Sequence, residues 1–176
     1  MKVKICGLTS AAAVGHAADA GAAYLGFVFY PPSPRALELD AARTLAQAAP
    51  AGVTRVAMVV DADDAFLDQL VAGVPLDMLQ LHGQESPERV TEIRARTGLP
   101  VMKAVGIRDA EDLPRIAEFE AVADQLLIDA KPPKEGIGIL PGGNALSFDW
   151  RLIAGRRWAR PWLLAGGLTA ANVATA

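Results

Sequence analysis

Hydrophobic residues in this chain come in short unbroken runs rather than in alternation with polar ones. Seven such runs, rich in Val, Ile, Leu and Phe, fall at residues 3–6, 24–29, 53–60, 77–81, 101–105, 125–129 and 162–165. Continuous apolar runs of strand length are the pattern of parallel strands covered on both faces. Between them the pattern changes to helical spacing. Phe66, Leu67, Leu70 and Val71 form one stripe suited to packing on a sheet. Punctuation marks several helix ends: Thr9 is placed to cap an alanine-rich helix that stops at Gly21, Asp40 one that stops at Pro50, and Ser86 with Pro87 one that stops at Gly98. A last helix is expected from Thr169.

Strand starts recur about every 22 to 36 residues, the rhythm of repeated βα units. Two architectures share it. A doubly wound sheet binds its ligand where strand order reverses, whereas a closed (β/α)8 barrel gathers functional groups at the C-terminal ends of all its strands. Cys6, Arg35, His82, Asp129 and the pair Gly166 and Gly167 stand at or just beyond the ends of different strands, which favours the barrel. No GxGxxG follows the first strand, which weakens the nucleotide-binding alternative. An eighth strand is not found, and such barrels usually take at least about 200 residues. The expectation is one α/β domain over residues 1–176, a (β/α)8 TIM barrel that lacks its eighth strand at the C-terminus and exposes two strand edges.

Composition narrows the setting. With 176 residues, 52% of them hydrophobic, the chain suffices for one substantial core. A net charge of -3 and a pI near 5.4 supply no basic field for a nucleic-acid backbone, so no nucleic-acid partner is expected. No apolar run approaches the roughly 20 residues of a membrane helix, so no membrane partner is expected either. A single cysteine cannot form an intramolecular disulfide, and residues 1–10 enter a strand without a long apolar leader. A soluble protein in a reducing cytoplasm fits both facts.

Candidate chemistry sits at the strand ends. Cys6, in KICGLT, stands where a strand runs into a glycine turn and a helix start, a position in which a thiol gains thiolate character. The plain alternative is a small buried hydrophobe. Asp129 ends the apolar strand of LLIDAK, where partial desolvation suits a carboxyl to act as an acid; exposed capping is the alternative. Arg35 closes the stiff loop of LGFVFYPPSPR and carries the fork that suits a carboxylate or phosphate. LLAGGL, with Gly166 and Gly167 before Thr169, offers free amides and a helix N-terminus to a phosphate, or is an ordinary tight turn. In LQLHG, alternation sends Gln80 and His82 in one direction, towards the barrel mouth. The glycine-rich residues 140–150 form either a mobile loop over the site or a long surface connection. Asp61, Asp63 and Asp64 are read as helix-start groups rather than metal ligands, and Arg151, Arg156, Arg157 and Arg160 as a solvated face of a surface helix. No Cys or His stands near His82 at ligand spacing, so no metal is expected.

Taken in order, KICGLT, the YPPSPR loop, LQLHG, LLIDAK, PGGNALSFDW and LLAGGL resemble the phosphoribosylanthranilate isomerase family of tryptophan biosynthesis across the whole chain. The resemblance implies an Amadori rearrangement of a small phosphorylated substrate with neither metal nor organic cofactor. It implies Cys6 as general base, Asp129 as general acid, Arg35 on the anthranilate carboxylate and the Gly166 and Gly167 amides on the phosphate. Gln80 and His82 join the substrate-binding set, and the enzyme is expected as a monomer or homodimer. Two other readings stay open from the residues: a related phosphosugar aldose-ketose isomerase that would use two carboxylates, and a non-catalytic phosphate-binding barrel fragment. Without the eighth strand and its loop, residues 1–176 alone are expected to turn over little substrate.

Overall fold

The strand-sized apolar runs form seven strands in a computed structural model, which describes residues 1–131 and 146–175. They are β1 (Lys4–Cys6), β2 (Tyr24–Phe29), β3 (Thr54–Val59), β4 (Met78–Leu81), β5 (Val101–Ile107), β6 (Gln125–Ala130) and β7 (Trp162–Leu164). All pair in parallel and in sequence order, β1 to β7, in one sheet. Among the described residues five α-helices connect them: α1 (Ala11–Asp19), α2 (Leu39–Ala48), α3 (Asp64–Gly73), α4 (Pro87–Thr97) and α5 (Pro114–Glu120). A 3₁₀ turn at Ala110–Asp112 leads into α5, and another at Trp150–Leu152 precedes β7. No helix among the described residues is long and apolar enough to cross a membrane.

The sheet is strongly curled. Tyr24 on β2 donates from its hydroxyl to Gln125 Oε1 on β6 at 3.4 Å. Four strand spacings in a flat sheet would put those strands about 19 Å apart. Alternation then divides each strand between two environments. One set of side chains, among them Leu25, Phe27, Leu79, Leu81 and Ile107, is fully buried with Leu67, Leu70, Val90, Ile93 and Ile116 of the helices. The other set faces the enclosed interior and carries the polar residues Gln80, Gln125 and Asp129.

The expectation of strands covered on both faces holds for β2 and β6 but not for the outer strands. β1 and β7 are only partly covered, with Ile5 of β1 39% exposed. The reason is positional, since each pairs with a neighbour on one side only among the described residues. Two caps also differ from expectation. Ser10, not Thr9, accepts the Ala13 amide, since α1 starts at Ala11 and Ser10 is the residue before it; the Gly7 and Leu8 amides are held by the Gly26 carbonyl at 2.9 and 3.1 Å. Asp40 lies inside the first turn of α2, which starts after Glu38, and pairs with Arg43 at 3.0 Å. Ser86, Pro87 and the left-handed Gly98 bound α4 as expected, and Asp63 caps α3 through the Phe66 amide.

No α-helix begins at Thr169 among the described residues. Residues 170–175 form hydrogen-bonded turns, and Asn172 Oδ1 accepts from the Thr169 amide at 2.7 Å. The arginine run is likewise not a solvated helix face. Glu120, nearly buried at the end of α5, draws in Arg156 (2.8 Å) and the Ala159 amide (3.0 Å), while its carbonyl accepts from Arg160 (3.1 Å). Arg156 also lies over the Trp158 ring. Arg151 and Arg157 are exposed as expected, with Arg151 paired to Asp149 on the surface.

One ion pair is fully enclosed. Lys103 on β5 meets Glu85 at 2.9 Å, with side chains 1% and 2% exposed. The ammonium also donates to the Leu81 and Gly83 carbonyls, and Glu85 accepts from the amides of Asp61 and Gly83. Burial pushes the Lys103 ammonium down from its ordinary value, with Glu85 opposing the shift. This network holds the turns after β3 and β4 together. Glu85→Gln leaves the ammonium buried without its counter-charge, so unfolding free energy should fall by about 3–5 kcal/mol in urea titration. A loss under about 1 kcal/mol would show the pair to be dispensable.

A second, half-exposed pair makes a pH prediction. Arg55 hydrogen-bonds Asp77 twice at 2.8 Å and holds its carboxyl below the usual carboxylate range. A carboxylate lowered by folding stabilises the native state above its unfolded value, and that gain is lost as pH falls through the folded one. Solvent screening limits it to about 1 kcal/mol. Asp77→Asn should therefore shrink the difference in urea midpoint between pH 7 and pH 3. An unchanged difference would remove Asp77 from the acid response.

Candidate active site

A cavity of about 1110 Å³ opens inside the curled sheet and runs along its open side between β7 and β1. Cys6, Arg35, Gln80, His82, Asp129, Gly166 and Gly167 all line it. Seven residues picked out by their places at strand ends thus share one space. The cause is the parallel register: Cys6 pairs with Gly26, Met58 with Gln80, and Gly106 with Asp129, so the interior positions keep level around the curl.

Cys6 ends β1 and is partly exposed to the cavity. Its thiol lies over Gly26, where an added methyl group would stand 2.8 Å from Sγ and 3.0 Å from the Cys6 Cα. Gly7, next in the chain, takes the left-handed conformation (φ +83°). The Arg35 side chain fills the space beside it, with Cδ 2.6 Å from where a Gly7 side chain would begin. Arg35 Nη1 donates to the Cys6 carbonyl at 3.2 Å, and the Arg35 amide donates to the buried Ser33 hydroxyl at 3.2 Å. The proline-rich loop is therefore ordered against β1, with the guanidinium at the cavity mouth.

Asp129 ends β6 and is 9% exposed. Its Oδ1 accepts the Ala130 amide at 2.8 Å, and its Oδ2 lies 3.4 Å from His82 Nε2. His82 Nδ1 stands 2.7 Å from Gln80 Nε2. With the Gln80 amide donating, His82 Nδ1 accepts and its Nε2 proton points at Asp129. Gln80 Oε1 is buried without a partner among the described residues. The chain Gln80, His82, Asp129 fixes the carboxyl across the interior from β4 to β6, which makes the capping alternative for Asp129 untenable.

The diglycine turn packs against the same carboxyl. A side chain on Gly166 (φ +86°) would meet Asp129 Oδ1 at 2.7 Å, and one on Gly167 (φ +62°) would meet the Leu146 backbone at 3.0 Å. The Gly166 and Gly167 amides make no hydrogen bond to a described residue. They are available to an anion, though the helix N-terminus expected beside them is replaced by the turn at Thr169. Of residues 140–150, the first six lie outside the described residues; Phe148 is buried and Asp149 caps the 3₁₀ turn. The Asp61 carboxylate accepts the Gln84 amide and fills the space over Gly83. Asp64 pairs with Arg89 and Arg96.

The sequence reading passed over Gly26 and Lys4. Their signals were present, in an interior glycine of an otherwise apolar strand and in a lysine two residues before Cys6, but they carry meaning only once β1 is paired with β2. Gly26→Ala must displace the Cys6 thiol or β1 itself. Activity should fall at least about 10-fold and stability by about 1–3 kcal/mol, read by steady-state kinetics and thermal unfolding. Wild-type kinetics in this variant would show that the thiol is not held against Gly26.

A family model described as N-(5'-phosphoribosyl)anthranilate (PRA) isomerase matches residues 3–176. An N-(5'-phosphoribosyl)anthranilate isomerase of Cereibacter sphaeroides is 65% identical over 176 residues, covering 100% of this chain and 82% of that protein. The crystal structure of phosphoribosyl anthranilate isomerase from Thermotoga maritima superposes with a TM-score of 0.86 at 32% identity, over 99% of this chain and 81% of that one. A further structure of such an isomerase, in complex with reduced 1-(o-carboxyphenylamino)-1-deoxyribulose 5-phosphate, gives a TM-score of 0.83 at 31% identity, over 99% and 80%.

Proposed function

We infer the roles of the site residues from one premise: the chain belongs to the N-(5'-phosphoribosyl)anthranilate isomerase family. It is an isomerase of tryptophan biosynthesis, carrying N-(5'-phosphoribosyl)anthranilate through an Amadori rearrangement to 1-(2-carboxyphenylamino)-1-deoxyribulose 5-phosphate. The division of labour among its side chains is our reading. The observation that carries it is the sharing of one cavity by a partly exposed thiol at the end of β1 and an enclosed carboxyl at the end of β6.

Asp129 is the general acid and Cys6 the general base. The reaction begins when the Asp129 carboxyl protonates the furanose ring oxygen, and the ring opens to a Schiff base. Conjugation with the cationic nitrogen acidifies the C2 proton. Cys6, as thiolate, removes that proton, and the enolamine so formed tautomerises to the ketone. The two groups must differ in protonation state at one pH, which a shared cleft allows when their immediate surroundings differ. Their surroundings do differ: a histidine and a backbone amide at Asp129, a glycine face at Cys6.

The remaining groups hold the substrate. Arg35 presents its guanidinium to the anthranilate carboxylate, and the Gly166 and Gly167 amides face the phosphate. Gln80 and His82 orient the Asp129 carboxyl and line the sugar-binding region. No cofactor or metal enters this chemistry. Every assigned group belongs to one protomer, so a monomer and a homodimer accommodate the reading equally, and a reducing cytoplasm suits a catalytic thiol. We also read the seven parallel strands as part of a single eight-stranded (β/α)8 barrel. The partly covered outer strands and the four-fifths share of its relatives that the chain spans support this.

The test follows loss of anthranilate fluorescence with synthetic substrate. Cys6→Ser and Asp129→Asn should each lower kcat by at least about 100-fold with KM little changed. Near-wild-type turnover in either variant would remove that residue from its role.

A further inference from the structure

Lys4 is a charged residue at the site that the mechanism above leaves unused. Alternation along β1 puts Lys4 and Cys6 on the same face, and both line the cavity. In the register, Lys4 stands level with Tyr24 and Cys6 level with Gly26. Gly26 lets the two side-chain ends converge. A methyl group there would stand 2.8 Å from Cys6 Sγ and 3.0 Å from Lys4 Nζ, which places the ammonium and the thiol within about 6 Å of each other. Lys4 is partly buried and has neither an ion pair nor a hydrogen bond among the described residues.

We propose that Lys4 is the counter-cation of Cys6, a positioning residue whose ammonium stabilises the thiolate from the interior side without touching substrate. The proposal rests on the assignment of Cys6 as base. A thiolate at a partly covered strand end loses hydration, and a nearby cation offsets that loss. The other candidate cation, Arg35, is turned to the Cys6 carbonyl and the cavity mouth. Gly26 acquires a second reason to be glycine, since any side chain would separate the pair.

Among the described residues, the titratable groups that face this interior lie on four elements. Beside Lys4 on the first segment are Lys2 and the Met1 amine. Tyr24, Tyr30 and Arg35 face it from β2 and its loop, and His82 and Asp129 from β4 and β6. Lys4 is the cation that shares the Gly26 position with Sγ.

Cys6 is the single cysteine of the chain, so alkylation by iodoacetamide as a function of pH reads it alone. Loss of one positive charge at about 6 Å should move the alkylation midpoint up by roughly 0.5 to 2 units in Lys4→Met and Lys4→Gln. Lys4→Arg should keep it near wild type. At pH 7 the neutral variants should lose about 3- to 100-fold in kcat, recovering as pH rises, with KM little changed. Two neutral substitutions guard against one that fails to fold, and circular dichroism identifies it. An unchanged midpoint in a folded neutral variant overturns the proposal. Failure of the base assignment looks different: Cys6→Ser would keep its activity while the alkylation shift in the Lys4 variants persisted.

Discussion

Parallel strands paired in sequence order leave little freedom in which side chains meet. Once β1 to β7 curl around a common interior, every second residue of each strand is committed to that interior, and parallel pairing keeps those positions level. Cys6 over Gly26, Gln80 beside Met58 and Asp129 beside Gly106 are consequences of this one constraint. A one-residue slip would turn the thiol, the amide or the carboxyl outward into the helix layer. The chemistry at the mouth therefore depends on apolar packing outside the sheet, where Phe27, Leu79, Leu81 and Ile107 lock strand to helix.

Enclosed polar groups lie on both faces of the sheet, and most are tied to a turn or a partner strand. Lys103 and Glu85 fasten the turns after β3 and β4, and the second of these turns carries His82 towards Asp129. Tyr24 and Gln125 bridge the opposite end of the interior. Such groups are costly to bury unless every donor finds an acceptor, which narrows the arrangements the loops can adopt. The orphan Gln80 side-chain carbonyl stands out against that background, at one end of the chain that runs through His82 to Asp129.

Much of this was legible along the chain. The seven apolar runs mark the seven strands to within a residue or two, and Ser86 with Pro87 and Gly98 bounds its helix, because local sterics and capping need no distant partner. Cys6, Arg35, His82, Asp129 and the diglycine pair were found because strand ends in this architecture converge. Where the reading failed, distant groups decided. Arg156 is drawn from solvent by Glu120, 36 residues before it, a partner that no local pattern marks.

The sequence by itself determined the strand and helix rhythm and the class of fold, which follow from periodicity and turn chemistry; it offered Cys6 and Asp129 as candidates, whose roles as base and acid the family resemblance implied. Tertiary structure alone decided that Asp129 is held by His82 and Gln80, that Arg35 folds back on Gly7, and that Gly26 brings Lys4 beside Cys6. The physical reason is range. Periodicity and capping act over a few residues, whereas these contacts join positions 20 to 50 apart in the chain, and only strand register and the curl of the sheet bring them within reach.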